Sequence, residues 1–143
     1  MLPIVLVGAL NGPGSEPTNR SGRRFLPVPA SVPAARSFVL SVGWSNEDDL
    51  NFRLAMLVSE IVTNAVLHAR TPFEVSVEPK AEKIRVAISD QSTAIPVKRS
   101  YETTHPTGRG LHIVEATADR WGVSPSANGK TIWFELDRVS ASV

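Results

Sequence analysis

The residues whose types and spacing could do chemistry fall in three segments. In a stretch rich in Leu, Val and Ile, Glu60 and Asn64 stand four apart, which places them on one helix face a turn from each other, and His68 continues that face. An asparagine inside a helix has low propensity and brings an amide that needs partners. Two readings fit: a solvated stripe on an amphipathic helix, or an amide oxygen offered to a hard cation such as Mg²⁺, with a carboxylate one turn away to take a proton or orient a water. Asp90 is an acid at the end of an otherwise apolar strand, either capping a loop or reaching a ligand. Thr107-Gly108-Arg109-Gly110-Leu111 leads into a helix. Glycines let backbone amides approach an anion, and a helix N-terminus adds partial positive charge, so phosphate is a natural guest there. A turn glycine before a helix has the same look, and Arg109 reads as a phosphate ligand, a partner contact or a solvated arginine.

Positioning these groups requires a helix–strand framework, and the hydrophobic periods supply one. Residues 23–28 (RRFLPV) read as a short edge strand limited by Pro27 and Pro29. Ser31 is expected to cap a helix with Pro33 in its first turn, on which Ala35, Phe38, Val39 and Val42 recur at helical spacing up to Gly43. The stripe Phe38, Val39 and Val42 suits core packing and a homodimer contact equally. A longer helix is expected from a capping-box variant at Ser45 to about Ala69, its apolar stripe formed by Leu50, Leu54, Leu57, Val58, Ile61, Val62 and Ala65. After Thr71-Pro72 the period becomes two: Phe73, Val75 and Val77, then Ile84, Val86 and Ile88, predict a hairpin with one buried face. Residues 91–107 read as a long loop, which in a compact domain is usually functional. A helix from about Gly110 to Asp119 and a hairpin of 121–123 with 131–136 complete the chain. Trp44, Trp121 and Trp133 are expected to be core or interface aromatics. The predicted class is α+β: a two-layer sandwich whose mixed, mostly antiparallel sheet is covered on one face by helices.

Composition bounds the alternatives. A chain of 143 residues suits one domain, and 42% hydrophobic with 20% charged residues is an ordinary globular mix. A net charge of +1 lacks the basic footprint of a nucleic-acid binder, and no uninterrupted apolar run approaches the roughly 20 residues of a bilayer crossing, so neither nucleic acid nor membrane is an expected partner. With no cysteine there is neither a disulfide framework nor a thiolate metal site, and a reducing cytoplasmic setting is expected. His68, His105 and His112 are not spaced as a metal site. Residues 1–22 are expected to be a flexible extension, 23–137 the domain and 138–143 a tail. The apolar opening MLPIVLVGAL lacks the basic residues of a secretory signal.

The order of these features, Glu-x-x-x-Asn on a helix, Asp at a strand end, a long loop, Gly-x-Gly into a helix, then Gly129-Lys130-Thr131, resembles the Bergerat-type (GHKL) ATP-binding domains shared by GyrB, histidine kinases and MutL. Within them it is most similar to the anti-sigma-factor serine/threonine kinases of the RsbW and SpoIIAB kind, in their actinobacterial form. The resemblance spans residues 23–136 and is most specific at 59–69 (SEIVTNAVLHA), 108–111, Val114 and 118–123. It implies ATP as ligand, Mg²⁺ held by Asn64, Glu60 as catalytic base, and Asp90 accepting a hydrogen bond from the adenine amino group. It further implies that Gly108, Arg109, Gly110 and Leu111 close on the phosphates, that Thr131 lines the adenine side, and that 91–107 is the ATP lid. The implied partners are an anti-anti-sigma factor, which receives the phosphoryl group, and a sigma factor. One departure stands out: Gln91, Ser92, Thr93 and Ala94 follow Asp90 where the family usually has glycines at the second and fourth positions. Two rivals are a non-catalytic protein-binding module of the same fold, and a detached histidine-kinase catalytic domain, which usually carries Asn or His at the position of Glu60 and follows a dimerisation helix.

Overall fold

The computed structural model describes residues 19–93 and 106–139, the side chains of 106–111 excepted. Most of the expected extension, the greater part of the 91–107 loop and residues 140–143 lie outside the described residues. The elements follow in the order β1 (Ser21–Phe25), α1 (Ser31–Gly43), α2 (Asp48–Asn64), a π-helical turn (Ala65–Ala69), β2 (Phe73–Pro79), β3 (Lys83–Asp90), α3 (Pro106–Thr117), β4 (Arg120–Ser126) and β5 (Gly129–Asp137). The first strand starts earlier than the sequence suggests: Ser21 and Gly22, assigned to the extension, pair with Val77 and Ser76 of β2.

The five strands form one sheet in the order β1-β2-β3-β5-β4. Every pairing is antiparallel, so the expected mixed character is absent and the α+β class stands. Alternation sorts the side chains cleanly: Phe73, Val75 and Val77, Ile84, Val86 and Ile88, and Ile132, Phe134 and Leu136 are buried on one face. Against them pack Leu50, Leu54, Leu57, Val58, Ile61, Val62 and Ala65 of α2 and the π turn, with Ala35 and Val39 of α1. Burying each large side chain contributes roughly 1.5–3 kcal/mol, so packing rather than intrinsic propensity fixes the helix orientation. By length and composition alone the 22-residue span Asp48–Ala69 is long and apolar enough to cross a membrane, which corrects the expectation of no such run, but its apolar side is the core of this domain.

The helix starts differ from the capping expected. Ala30, not Ser31, is the N-cap of α1, and the Ser31 hydroxyl donates instead to the Leu26 carbonyl at 2.7 Å, anchoring the turn after β1. The second helix begins at Asp48 rather than at Ser45, with no side-chain cap at Glu47. Ser45 belongs to the preceding loop, which buried Asn51 clamps: its Oδ1 accepts from the Ser45 N–H at 3.1 Å and its Nδ2 donates to the Ser45 carbonyl at 2.9 Å. Trp44 in that loop is exposed, which removes it from the core and leaves the interface alternative.

Among the described residues no helix covers the other face of the sheet, which is held by charge. Glu135, buried, accepts from Arg120 at 2.7 Å, Arg85 at 3.1 Å and Lys83 at 3.3 Å. Arg120 also pairs with Asp137, and the Arg85 guanidinium lies 4.2 Å from the Trp133 ring centroid. Burial pushes the Glu135 carboxyl up, but the hydrogen bonds from Arg120, Arg85 and Lys83 together outweigh it and hold the group at about 2. A carboxyl depressed in the folded state stabilises it above the ordinary value and loses that contribution as pH falls toward the folded value. Chemical denaturation of Glu135→Gln should show a loss of roughly 2–3 kcal/mol at pH 7. The gap to the native chain should close as pH drops from 4.5 to about 2; a gap independent of pH would contradict the ion-pair account.

Candidate functional site

The apolar stripe of α2 fixes where its polar residues can point. With Ile61 and Ala65 turned into the core, Asn64 sits half-buried at the edge of that face, at the last position of the α-helix. The helix then widens: Arg70 N–H bonds to the Ala65 carbonyl at 3.1 Å, a five-residue step, and Arg70 closes the turn with φ 57° in the left-handed region. Such π turns recur at functional positions because they re-aim side chains without ending the helix. Here the turn brings His68 and Ala69 to the wall of a cavity shared with Asn64.

The opposite wall comes from the sheet. Asp90 ends β3 in phase with Ile84, Val86 and Ile88, so its carboxylate faces the helices and is buried. Antiparallel pairing sets Asp90 opposite Lys130, Ser89 opposite Thr131 and Ile88 opposite Ile132. The Lys130 ammonium lies 3.0 Å from both Asp90 oxygens, and the Ser92 N–H donates to Oδ1 at 2.8 Å. A cavity of about 60 Å³ lies between the helix end and the strand ends, lined by Asn64, His68, Asp90, Ser92 and Lys130 over an apolar floor that includes Ile88 and Ile132.

Gly129 makes this approach possible. A Cβ at that position would stand 2.0 Å from the Asp90 carbonyl oxygen and 2.9 Å from Gln91 Cα, so only glycine lets the start of β5 press against the end of β3.

The residues singled out in the sequence are placed as follows. Asn64 and Asp90 meet at one cavity. Glu60 lies one turn before Asn64, half-buried and outside the cavity lining, with no hydrogen-bond partner among the described residues. Gly108, Arg109, Gly110 and Leu111 fall within α3, which begins at Pro106 rather than near Gly110, so their backbone belongs to its opening turns. Thr131 is not where the resemblance puts it: it faces the helix-free side of the sheet, its hydroxyl 2.7 Å from that of Ser89. The residue in its place on the cavity side is Lys130, which the sequence reading passed over. Counting back by two from Leu136 through Phe134 and Ile132 reaches Lys130, and that alternation was the available signal. In the glycine-free segment after Asp90, the Gln91 N–H is taken by the Thr71 hydroxyl at 2.9 Å. In α3, His112 Nε2 is buried without a partner among the described residues.

With this fold and the meeting of Asn64 and Asp90 at one cavity established, the chain can be set beside known proteins. Residues 25–136 match the histidine kinase-like ATPase domain family, and the chain belongs to that family. No curated protein matches it. Among solved structures it is similar to the histidine kinase domain of the Erythrobacter litoralis blue-light activated histidine kinase. The identity is 18%, with a TM-score of 0.47 over 75% of this chain and 59% of that one. The chain thus spans under two thirds of that structure's length.

Gly129→Ala should destabilise the domain by more than about 2 kcal/mol in a denaturant titration, because backbone rather than a mobile side chain meets the new methyl. Stability within 0.5 kcal/mol of native would show that the β3–β5 crossing is looser than drawn.

Proposed function

We propose that this chain is an ATP-dependent protein kinase of the anti-sigma-factor serine/threonine class, transferring the γ-phosphoryl group to a hydroxyl of an anti-anti-sigma partner and releasing or capturing a sigma factor by partner switching. The observation that carries the reading is the meeting of Asn64 and Asp90 at one cavity. The residues present suit the cation. Asn64 has an amide without a hydrogen-bond partner among the described residues, as a cation ligand requires.

In this reading Asn64 holds Mg²⁺, whose charge neutralises phosphate oxygens when bound. The free backbone N–H groups in the first turn of α3, those of Thr107 and Gly108, receive the phosphates with the positive end of the helix dipole. Asp90 marks the side of the cavity that the base would face. Glu60, one turn from Asn64, orients or deprotonates the acceptor hydroxyl, and as in phosphoryl transfer generally most of the catalysis is positioning and charge neutralisation. Arg109 and Leu111 close the phosphate end. The partner proteins, the cytoplasmic setting and a homodimer through α1 belong to the same proposal. A second reading, a binding module of the same fold without turnover, is favoured by the Gln91-Ser92-Thr93 segment, whose Gln91 amide is already bonded to Thr71.

Two substitutions separate binding from chemistry. Calorimetry should give Mg²⁺-dependent ATP binding that Asn64→Ala weakens at least tenfold. Glu60→Gln should leave that affinity within about twofold while cutting phosphoryl transfer to a serine-bearing partner by 10²-fold or more. Equal binding with and without Mg²⁺ would remove the role of Asn64, and transfer by Glu60→Gln at the native rate would remove that of Glu60.

A further inference from the structure

We propose that Lys130 plugs the base site: its ion pair with Asp90 occupies the carboxylate that the purine needs, so this chain grips a nucleotide by its phosphates and gains little from the base. The inference rests on the reading of the cavity as a nucleotide site. Four observations carry it. The ammonium is 3.0 Å from each Asp90 oxygen, and Ser92 N–H takes a further position on Oδ1 at 2.8 Å, so both oxygens are engaged. Both side chains are buried, at 7% exposure for Lys130 and 3% for Asp90, so water does not screen the pair. The cavity they border holds about 60 Å³, room for a few waters and far below the roughly 300 Å³ at which small-molecule sites begin. Finally, β5 starts where Gly129 lets its backbone touch that of β3, and core pairs fix the register behind it, so Lys130 cannot slide away with its strand.

The exchange of partners at Asp90 is unfavourable for a base. A neutral exocyclic amine offers the carboxylate a weaker hydrogen bond than an ammonium does, because charge-assisted bonds are about twice as strong. The displaced lysine must also find water or another acceptor, since a buried charge without its counter-ion is strongly disfavoured. A short side chain at 130 removes both obstacles and leaves the carboxylate facing an enlarged cavity. A threonine there can still donate to Asp90, which limits the loss of stability.

The test measures ATP and inorganic tripolyphosphate, each with Mg²⁺, by calorimetry on the native chain and on Lys130→Thr, with circular dichroism to confirm folding. The expected result is that the native chain binds the two within about threefold, and that Lys130→Thr binds ATP at least tenfold tighter with tripolyphosphate unchanged. A native chain that binds neither, alongside a Lys130→Thr chain that binds ATP, supports the plug as well. A native preference for ATP of tenfold or more overturns the plug and leaves the nucleotide reading standing, whether or not the variant folds. An unchanged or weaker ATP affinity in folded Lys130→Thr overturns it too. Failure of both chains to bind either ligand at millimolar concentration overturns the plug together with the reading of the cavity.

Discussion

The register between β3 and β5 is the constraint from which the rest of the site follows. Three stacked apolar pairs, Ile84 with Leu136, Val86 with Phe134 and Ile88 with Ile132, face the helices and lock the two strands. Because side chains alternate strictly, a slip by one residue would send all of them to the other face, at a cost far above the marginal stability of a domain this size. Once those pairs are set, the next inward positions are Asp90 and Lys130, and the next outward ones are Ser89 and Thr131. The chemistry at the cavity is therefore dictated by hydrophobic packing further along the same strands.

The helix wall obeys a parallel rule with a different period. Residues from Leu50 to Ile61 turn into the core every three or four positions, and Asn64 arrives at the cavity because Ile61 and Ala65 on either side of it are committed inward. The π turn then interrupts the period. The two faces of the sheet divide labour: one is dry and apolar and carries the site at its margin, while the other is polar and organised by Glu135 and its three cationic neighbours.

The elements that read clearly from the sequence are those with a long, clean period. The stripe of α2, the alternation of β2 and β3 and the inward residues of α1 stand as expected, since packing reinforces the local pattern there. Helix starts were less legible: Ser31 and Ser45 have the chemistry of caps, yet the hydroxyl of one reaches back to Leu26 and the other lies in a loop clamped by Asn51, both contacts made with segments that the local pattern does not join. Asn64 and Asp90 could be found as candidates because motif and period agreed. Thr131 lies on the far face because the alternation running back from Leu136 governs the start of β5, and the same alternation turns Lys130 toward the cavity. The π turn left no local mark, as no glycine or proline announces it in Ala65–Ala69.

That wide turn gives the helix end a surplus of one residue over a regular α-helix. A deletion within Ala65–Ala69 could be absorbed by returning to the 3.6-residue winding, so the helix would survive a change of length that would break a strand. Everything beyond the turn would keep its direction about the axis, because the five-residue step shortens to a four-residue one over the same circuit, while the residues that line the cavity wall would move up by one place. Chain length in this one turn therefore selects which side chains the cavity wall presents, separately from the composition of the core.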